Sequence, residues 1–222
     1  MLFRSGPIRV LVNTHIHPDH TGANAFFAKQ GALIYAQENL RNEMLRPPTR
    51  PGATMRAPDP AAVPVATYQY TKATEGQPAV TFYMNGETVD FIPMMPSHTA
   101  GDTIVRFRKA NVIYIEDFYR NFGYPFADQA NGGSIRGMLD AVDLIQKLAG
   151  PETVLIPGHG TPTTRAELAK FRAGTVTLRN RIHDMVGQKK TRDEIGKAMQ
   201  TEMNWGPLQM MMSLDGAIAE LR

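Results

Sequence analysis

The residues most suited to chemistry lie near the start of the chain, directly after an apolar run at residues 8–12. Within six positions the sequence places three histidines and one aspartate: His15, His17, Asp19 and His20. Neutral imidazole and carboxylate groups are the ligands that zinc and similar metals prefer. Because alternate residues of an extended segment point the same way, His15 and His17 can bind one ion together. Asp19 and His20 follow a proline that bends the chain, and they can turn toward a second ion.

Each of these residues also has a simpler explanation when it is taken alone. A lone histidine is more often a buried core residue than a ligand, and Asp19 could be the N-cap of a helix that starts near Thr21. Four ligand-type side chains behind one short strand are not explained in that way. The pattern therefore favours a metal site.

Two other histidines lie in short motifs further along the chain. His98 lies in Pro-Ser-His-Thr-Ala-Gly-Asp, and His159 lies in Ile-Pro-Gly-His-Gly. Between these motifs an apolar strand ends in Glu116 and Asp117. With the His-x-His-x-Asp-His motif that begins at His15, these segments resemble, in chain order, the signature of the metallo-β-lactamase superfamily. The resemblance runs from about residue 8 to the helices after His159, and so covers most of the chain.

The resemblance implies an α/β fold, a four-layer αβ/βα sandwich in which two β-sheets pack face to face with helices outside. The metal site of such a fold lies at one edge, between the sheets. By resemblance, one metal is held by His15, His17 and His98. The other is held by Asp19, His20 and His159. Asp117 bridges the two.

The same resemblance implies a metal-dependent hydrolase in which a metal-bound hydroxide attacks an ester, thioester, lactone or lactam. Asp19 and His20 are the expected catalytic residues, with Asp19 orienting the attacking group. Two zinc ions are the expected cofactors, and iron and manganese are alternatives. The expected partner is a small-molecule substrate, and Arg120 and Lys72 are candidate cations for an anionic one.

Two other classes of function stay open at this point. One is an oxidoreductase with a single iron, as in the sulfur dioxygenases of the superfamily. The other is a catalytically impaired member that only binds its ligand. A complete ligand set that includes His20 and Asp117 favours the hydrolase, and metal analysis separates it from the iron enzyme.

The chain departs from the family pattern at two places. Glu116 replaces the small residue, usually glycine, that precedes the bridging aspartate, so its side chain either crowds the second metal or points the other way. Family members also place several strands before the histidine-rich loop, whereas here the strand begins about eight residues in. We therefore expect a first sheet without its N-terminal strands, and a homo-oligomer that covers the exposed sheet edge.

Length and composition indicate one globular domain over residues 1–222. Hydrophobic residues make up 42% of the chain and charged residues 20%, which is typical of a folded core. The net charge is +3 and the basic residues are scattered, which does not favour nucleic-acid binding. Without cysteine there is no thiolate metal site, and cytoplasm and periplasm suit the chain equally. No apolar run approaches the ~20 residues that span a bilayer.

Periodicity and turn residues predict alternating strands and helices. Strands are expected at 8–12, 32–36, 79–84, 87–94, 103–108, 111–115 and 152–156, with an Asn85-Gly86 type I′ turn. Helices are expected at 23–30, 37–45, 134–148, 164–186, 191–199 and 208–221. The proline-rich segment 46–72 is expected to be irregular and to cover the metal site. Segment 118–133 is also expected to be irregular, with five aromatic side chains that could line a substrate pocket: Phe118, Tyr119, Phe122, Tyr124 and Phe126.

Overall fold

The structure, a computed structural model, describes residues 6–46, 58–121 and 123–222. The first sheet is small and parallel. Its strands are β1 (Val10–Val12), β2 (Leu33–Gln37) and β3 (Ala66–Tyr68), in that order across the sheet. Parallel pairing requires a crossover between the strands, and here the segment that joins β1 to β2 is the one that carries the histidine motif.

Strand β3 corrects the prediction for segment 46–72. Residues 66–68 pair in parallel with β2 from Tyr35 onward, so this part of the segment belongs to the sheet and is not a cover. Residues 47–57 lie outside the described residues. A strand of three residues among several prolines is too short to show an alternation of apolar and polar side chains. Its pairing with β2 is what defines it as a strand.

The second sheet has five strands in sequential order: β4 (Val80–Met84), β5 (Glu87–Pro93), β6 (Thr103–Phe107), β7 (Val112–Arg120) and β8 (Val154–His159). The first four strands are antiparallel, and β8 runs parallel to β7. The hairpin turn has positive φ at Asn85 (55°) and Gly86 (77°), which confirms the type I′ turn.

Strand β7 is longer than predicted. It continues past residue 115 to Arg120, with shifts of register beside Glu116 where it pairs with β8. Phe118 and Tyr119 are therefore buried strand residues, not members of an irregular loop. The prediction is wrong there because an apolar strand that continues through two acidic residues looks like a strand end.

The two sheets pack face to face, and helices cover the second sheet. Tyr68 of the first sheet contacts the same apolar cluster as Phe91 and Val105 of the second. A larger cluster joins the second sheet to one long helix, α4. The helices are α1 (Pro18–Thr21), α2 (Asn24–Ala28), α3 (Glu38–Leu45), α4 (Ile135–Leu148), α5 (Arg165–Gly187), α6 (Arg192–Met203) and α7 (Pro207–Glu220). The predicted α/β class with two sheets is confirmed.

The last three helices share an apolar cluster with Ile135 and Met138 of α4. Trp205 in this cluster is fully buried and donates its indole N–H to the carbonyl of Pro125 at 3.1 Å. Ser134 caps α4, as the sequence predicts, by accepting from the backbone N–H of Gly137. No helix in the described parts of the chain combines the length and apolar character needed to cross a membrane.

Gly137 links this helix to the histidine loops, because a Cβ there would overlap the carbonyl of Pro96, two residues before His98. We expect Gly137→Ala to lower the free energy of unfolding by about 3 kcal/mol, since backbone cannot move aside cheaply. Gly187→Ala is the matched control, because its Cβ meets nothing within 4 Å. Urea denaturation measures both, and equal stability of the two variants would contradict the close packing.

Candidate metal centre

The histidine motif lies in the connection that leaves β1. His15 is fully buried, His17 immediately precedes α1, and Asp19 and His20 lie within that short helix. The connection is fixed by the buried amide pair of Asn13 and Asn24, in which each side chain donates to the other at 2.8 and 2.7 Å. This pair joins the strand end to α2, so the four motif residues occupy a closed loop.

His98 lies in the connection from β5 to β6. Asp102 holds that connection, since its carboxylate accepts the backbone N–H of Thr99 at 2.9 Å. Burial raises the pKa of Asp102 to about 8. The carbonyl of His98 accepts the backbone N–H of Asp128 at 2.8 Å. These bonds fix the backbone on both sides of the ring.

Asp117 and His159 come from the neighbouring parallel strands β7 and β8. Gly158 makes their approach feasible, because a Cβ at this position would overlap the carboxylate of Asp117 and press on the ring of His20. The glycine of the Pro-Gly-His-Gly segment is therefore required because a larger residue would not fit.

All seven side chains selected from the sequence converge. One group, whose ligand atoms all lie within 4.8 Å of one another, contains His15, His17, His98 and Asp117. A second group, with the same spacing, contains Asp19, His20 and His159. Asp117 lies between the groups, with its carboxylate oxygens 3.7 Å from His20 Nε2, 3.7 Å from His98 Nε2 and 3.5 Å from His159 Nε2.

This geometry agrees with the comparison to known families. Residues 3–159 match the family profile described as the metallo-beta-lactamase superfamily. The chain belongs to this superfamily.

Its fold is also that of solved superfamily structures. A metallo-beta-lactamase family protein from Thermus thermophilus superimposes with a TM-score of 0.69 at 16% identity, over 96% of this chain and 73% of that one. A metallo-beta-lactamase from Pontibacter korlensis gives 0.56 at 18% identity, over 75% of this chain and 68% of that one. TTHA1623, solved in a di-iron-bound form, gives 0.52 at 19% identity, over 72% of this chain and 74% of that one. A search of curated proteins finds no match.

Members of the metallo-beta-lactamase superfamily are mostly metal-dependent hydrolases, and the ring nitrogens of this chain fit that requirement. Metal-binding histidines usually hold their second nitrogen on an oxygen partner. His17 Nε2 lies 2.9 Å from Asp128 Oδ2, His98 Nδ1 lies 2.6 Å from the carbonyl of Phe126, and His20 Nδ1 lies 3.2 Å from the hydroxyl of Thr14. Each contact leaves the other nitrogen for the centre.

Several buried polar atoms at the centre also lack any hydrogen-bond partner, and Nε2 of His15 and Oδ1 of Asp117 are among them. Unsatisfied buried groups of this kind carry a free-energy cost unless something binds them. Imidazole nitrogen and carboxylate oxygen together suit a divalent transition metal. The residues present therefore fit the cation that the superfamily implies.

Burial lowers the pKa of three of the histidine rings, which favours the neutral form that binds a metal. It lowers the pKa of His98 to about 4, and burial with three neighbouring histidines lowers the pKa of His15 further. Burial also lowers the pKa of His20, although Asp117 opposes this. For Asp19, partial burial opposes ionisation, but backbone hydrogen bonding and the nearby rings of His20 and His159 hold its pKa below the usual value.

Arg120 is a cation that contacts the centre. Its Nη2 lies 2.6 Å from Asp117 Oδ2, and its guanidinium lies 4.8 Å from the ring centroid of Phe126. The other candidate, Lys72, is an exposed residue that pairs with Glu75 instead. Sequence position alone suggested both residues as cations for an anionic substrate. The structure places Arg120 at the centre and pairs Lys72 with Glu75.

The aromatic residues of segment 118–133 separate into different environments. Phe126 stacks on His17 with 5.7 Å between ring centroids, and so does line the centre. Phe118 and Tyr119 belong to the core, and Tyr124 packs against the cluster of the last helices. Phe122 lies outside the described residues.

Glu116 does not crowd the second group. Its carboxylate points to the first group, where Oε2 lies 2.6 Å from His15 Nδ1. Burial, with Asp102 and Asp117 nearby, raises the pKa of Glu116 well above its ordinary value. His183, the remaining histidine, lies on the surface with a side chain that is 64% exposed.

The lowered pKa of His98 gives a pH dependence for the metal-stripped chain. Between pH 6.5 and about 4 the unfolded chain binds a proton at this residue that the folded chain does not, so stability is lost as the pH falls through that window. We expect the free energy of unfolding, from urea titrations after chelation, to decrease steadily over this range. His98→Asn should make the decrease shallower, whereas His183→Asn should leave it unchanged. An equally steep decrease in both would contradict the assignment.

Proposed function

We propose that this chain is a zinc-dependent hydrolase that uses two metal ions to cleave an ester, thioester, lactone or lactam bond. The observation that carries the proposal is the pair of ligand groups with Asp117 between them. His15, His17 and His98 would hold one ion, Asp19, His20 and His159 the other, and Asp117 would bridge them. When bound, such ions polarise a carbonyl oxygen and lower the pKa of water toward 7.

The exposure of the side chains supports a direction of substrate approach. Asp19 is 51% exposed and His159 39%, whereas His15 and His98 are fully buried. A small molecule would therefore enter at Asp19 and His159. Any part of it that reaches Asp117 also meets Arg120, whose guanidinium can donate to an anionic group.

Asp19 is suited to managing the attacking water. Its lowered pKa keeps the carboxylate ionised near neutral pH, and its Oδ2 lies 3.0 Å from His159 Nε2 and 3.6 Å from His20 Nε2. An ionised carboxylate at the mouth of the centre can orient a water molecule and accept its proton. His20, positioned through Thr14, would assist it.

A second candidate is an oxidoreductase that contains iron. It is favoured by one comparison, since TTHA1623 shares the fold and was solved in a di-iron-bound form. Elemental analysis of the purified chain, followed by a panel of esters, thioesters, lactones and lactams, tests both. Two zinc ions and turnover of a panel member support the hydrolase, whereas iron in place of zinc, at one or two ions per chain, with no turnover would support the oxidoreductase.

We predict that Asp19→Ala lowers kcat/KM for the best panel substrate by at least about 100-fold, because it removes a ligand and the group that accepts the proton. His183→Ala is the control and should stay near the parent value. Metal content of each variant is measured in the same samples. Equal kinetics of the two variants would contradict the role given to Asp19.

We also propose that a second copy of the chain covers the free edge of β1. Among the described strands β1 pairs only with β2, which leaves backbone donors and acceptors that can pair with another chain. Ile8 beside this edge is 48% exposed and Leu33 on β2 is 52% exposed. Between the sheets lies a cavity of about 370 Å³ with a mostly apolar lining that includes Val12 and Phe107. Burial of exposed apolar surface at this edge between two copies would stabilise a dimer by about 25 cal/mol for each Å² buried.

A charge at this edge should prevent association. We predict that Ile8→Lys shifts the chain to monomer in size-exclusion chromatography with light scattering, and that Tyr83→Lys, on the edge strand β4, does not. Because β1 leads into His15, we expect metal content to fall together with the oligomer. A parent chain that is monomeric and fully loaded with metal would contradict the proposal.

A further inference from the structure

We propose that Glu116 is a positioning residue for the first ligand group: its carboxylate holds Nδ1 of His15, so that Nε2 of the same ring faces the metal ion. The inference rests on the metal-dependent function proposed above. It assigns a role to the position at which this chain departs from the superfamily pattern.

The contact is short and wholly buried. Oε2 of Glu116 lies 2.6 Å from Nδ1 of His15, and neither side chain has any exposed surface. The ring N–H is not aligned on this oxygen, and both carboxylate oxygens of Glu116 lack a hydrogen-bond partner. A buried carboxylate without any other partner requires a reason to be there.

The neighbouring histidines show what that reason is. His17 is held through Nε2 by Asp128, and His98 is held through Nδ1 by a carbonyl, so each offers its other nitrogen to the centre. Among the residues that the structure describes, His15 has only Glu116 in the equivalent position. A carboxylate on the outer nitrogen fixes the tautomer and increases the basicity of the ring, and both effects strengthen metal binding.

The backbone conformation of Glu116 also indicates that its side chain has a functional role. Its φ is +43°, in the left-handed region that glycine adopts without a steric cost. A residue with a side chain is strained there, and strain of this kind persists at sites where function requires the side chain. If the side chain of Glu116 had no role, glycine would occupy this position with less strain.

The test compares Glu116→Gly and Glu116→Gln with the parent. Zinc affinity of the first equivalent is measured by chelator competition, and stability by urea titration of the metal-stripped proteins. We expect Glu116→Gly to bind the first zinc about 10- to 100-fold more weakly, while its metal-stripped form is at least as stable as the parent because the backbone is relieved. Glu116→Gln keeps an oxygen acceptor and should lose less affinity than Glu116→Gly.

A matched control separates positioning from simple burial of a carboxylate. Asp90 is equally buried but pairs with Arg106 and Arg108 away from the histidines, so Asp90→Asn should lower stability and leave zinc affinity unchanged. Nitrogen-15 spectra of the zinc-loaded parent should show a protonated His15 Nδ1 that changes environment in Glu116→Gln.

The outcomes separate this inference from the proposed function. Zinc affinity in both Glu116 variants equal to the parent value overturns the role of Glu116 and leaves the hydrolase proposal standing. Failure of the parent to bind any divalent cation overturns both. A zinc-loaded parent with an unprotonated Nδ1 at His15 also overturns the inference.

Discussion

The burial of the Asp117 carboxylate is the constraint on which the rest of the structure depends. This group is 2% exposed, yet it faces three histidine nitrogens within 3.7 Å and a guanidinium at 2.6 Å. A buried charge is tolerated only when it is well paired. Its partners come from α1, the β5–β6 connection and the end of β8, so the carboxylate ties together segments from both sheets. The parallel pairing of β7 with β8, and the absence of a side chain at Gly158, make that arrangement fit.

The loops that carry the histidines are held by hydrogen bonds between buried oxygens and backbone donors. Asp102 fixes Thr99, and the carbonyl of Ser97 accepts the backbone N–H of Ser134, which is also the cap of α4. Asp128 makes two contacts with the histidines. Its backbone N–H donates to the carbonyl of His98, and its carboxylate lies within hydrogen-bond distance of His17 Nε2. One segment between β7 and α4 therefore orients two ligand rings, and the helix behind it keeps the segment in place.

The sequence predicted which side chains converge, because the information that selects them is local: residue type, spacing and position at the end of an apolar strand. It could not predict Asp128, which contacts His17 from 111 residues away and belongs to no motif. Nor could it predict β3, whose three residues become a strand only by pairing with β2. The direction of the Glu116 side chain was equally inaccessible, because it follows from a positive φ inside a strand, where alternation of side chains gives the wrong answer.

The charge of the centre connects its geometry to the chemistry it can support. The carboxylates of Asp19, Glu116, Asp117 and Asp128 surround histidine rings, which bind a metal in their neutral form, and the guanidinium of Arg120 contacts Asp117. With every carboxylate ionised the centre carries three negative charges, which the protein itself does not neutralise. The raised pKa of Glu116 lets this residue keep a proton while no cation is bound. One divalent ion leaves the centre negative, whereas two make it positive. Before its bound water loses a proton, the doubly loaded centre proposed above would therefore attract an anionic group, and Arg120 beside Asp117 would favour a substrate that presents a carboxylate there.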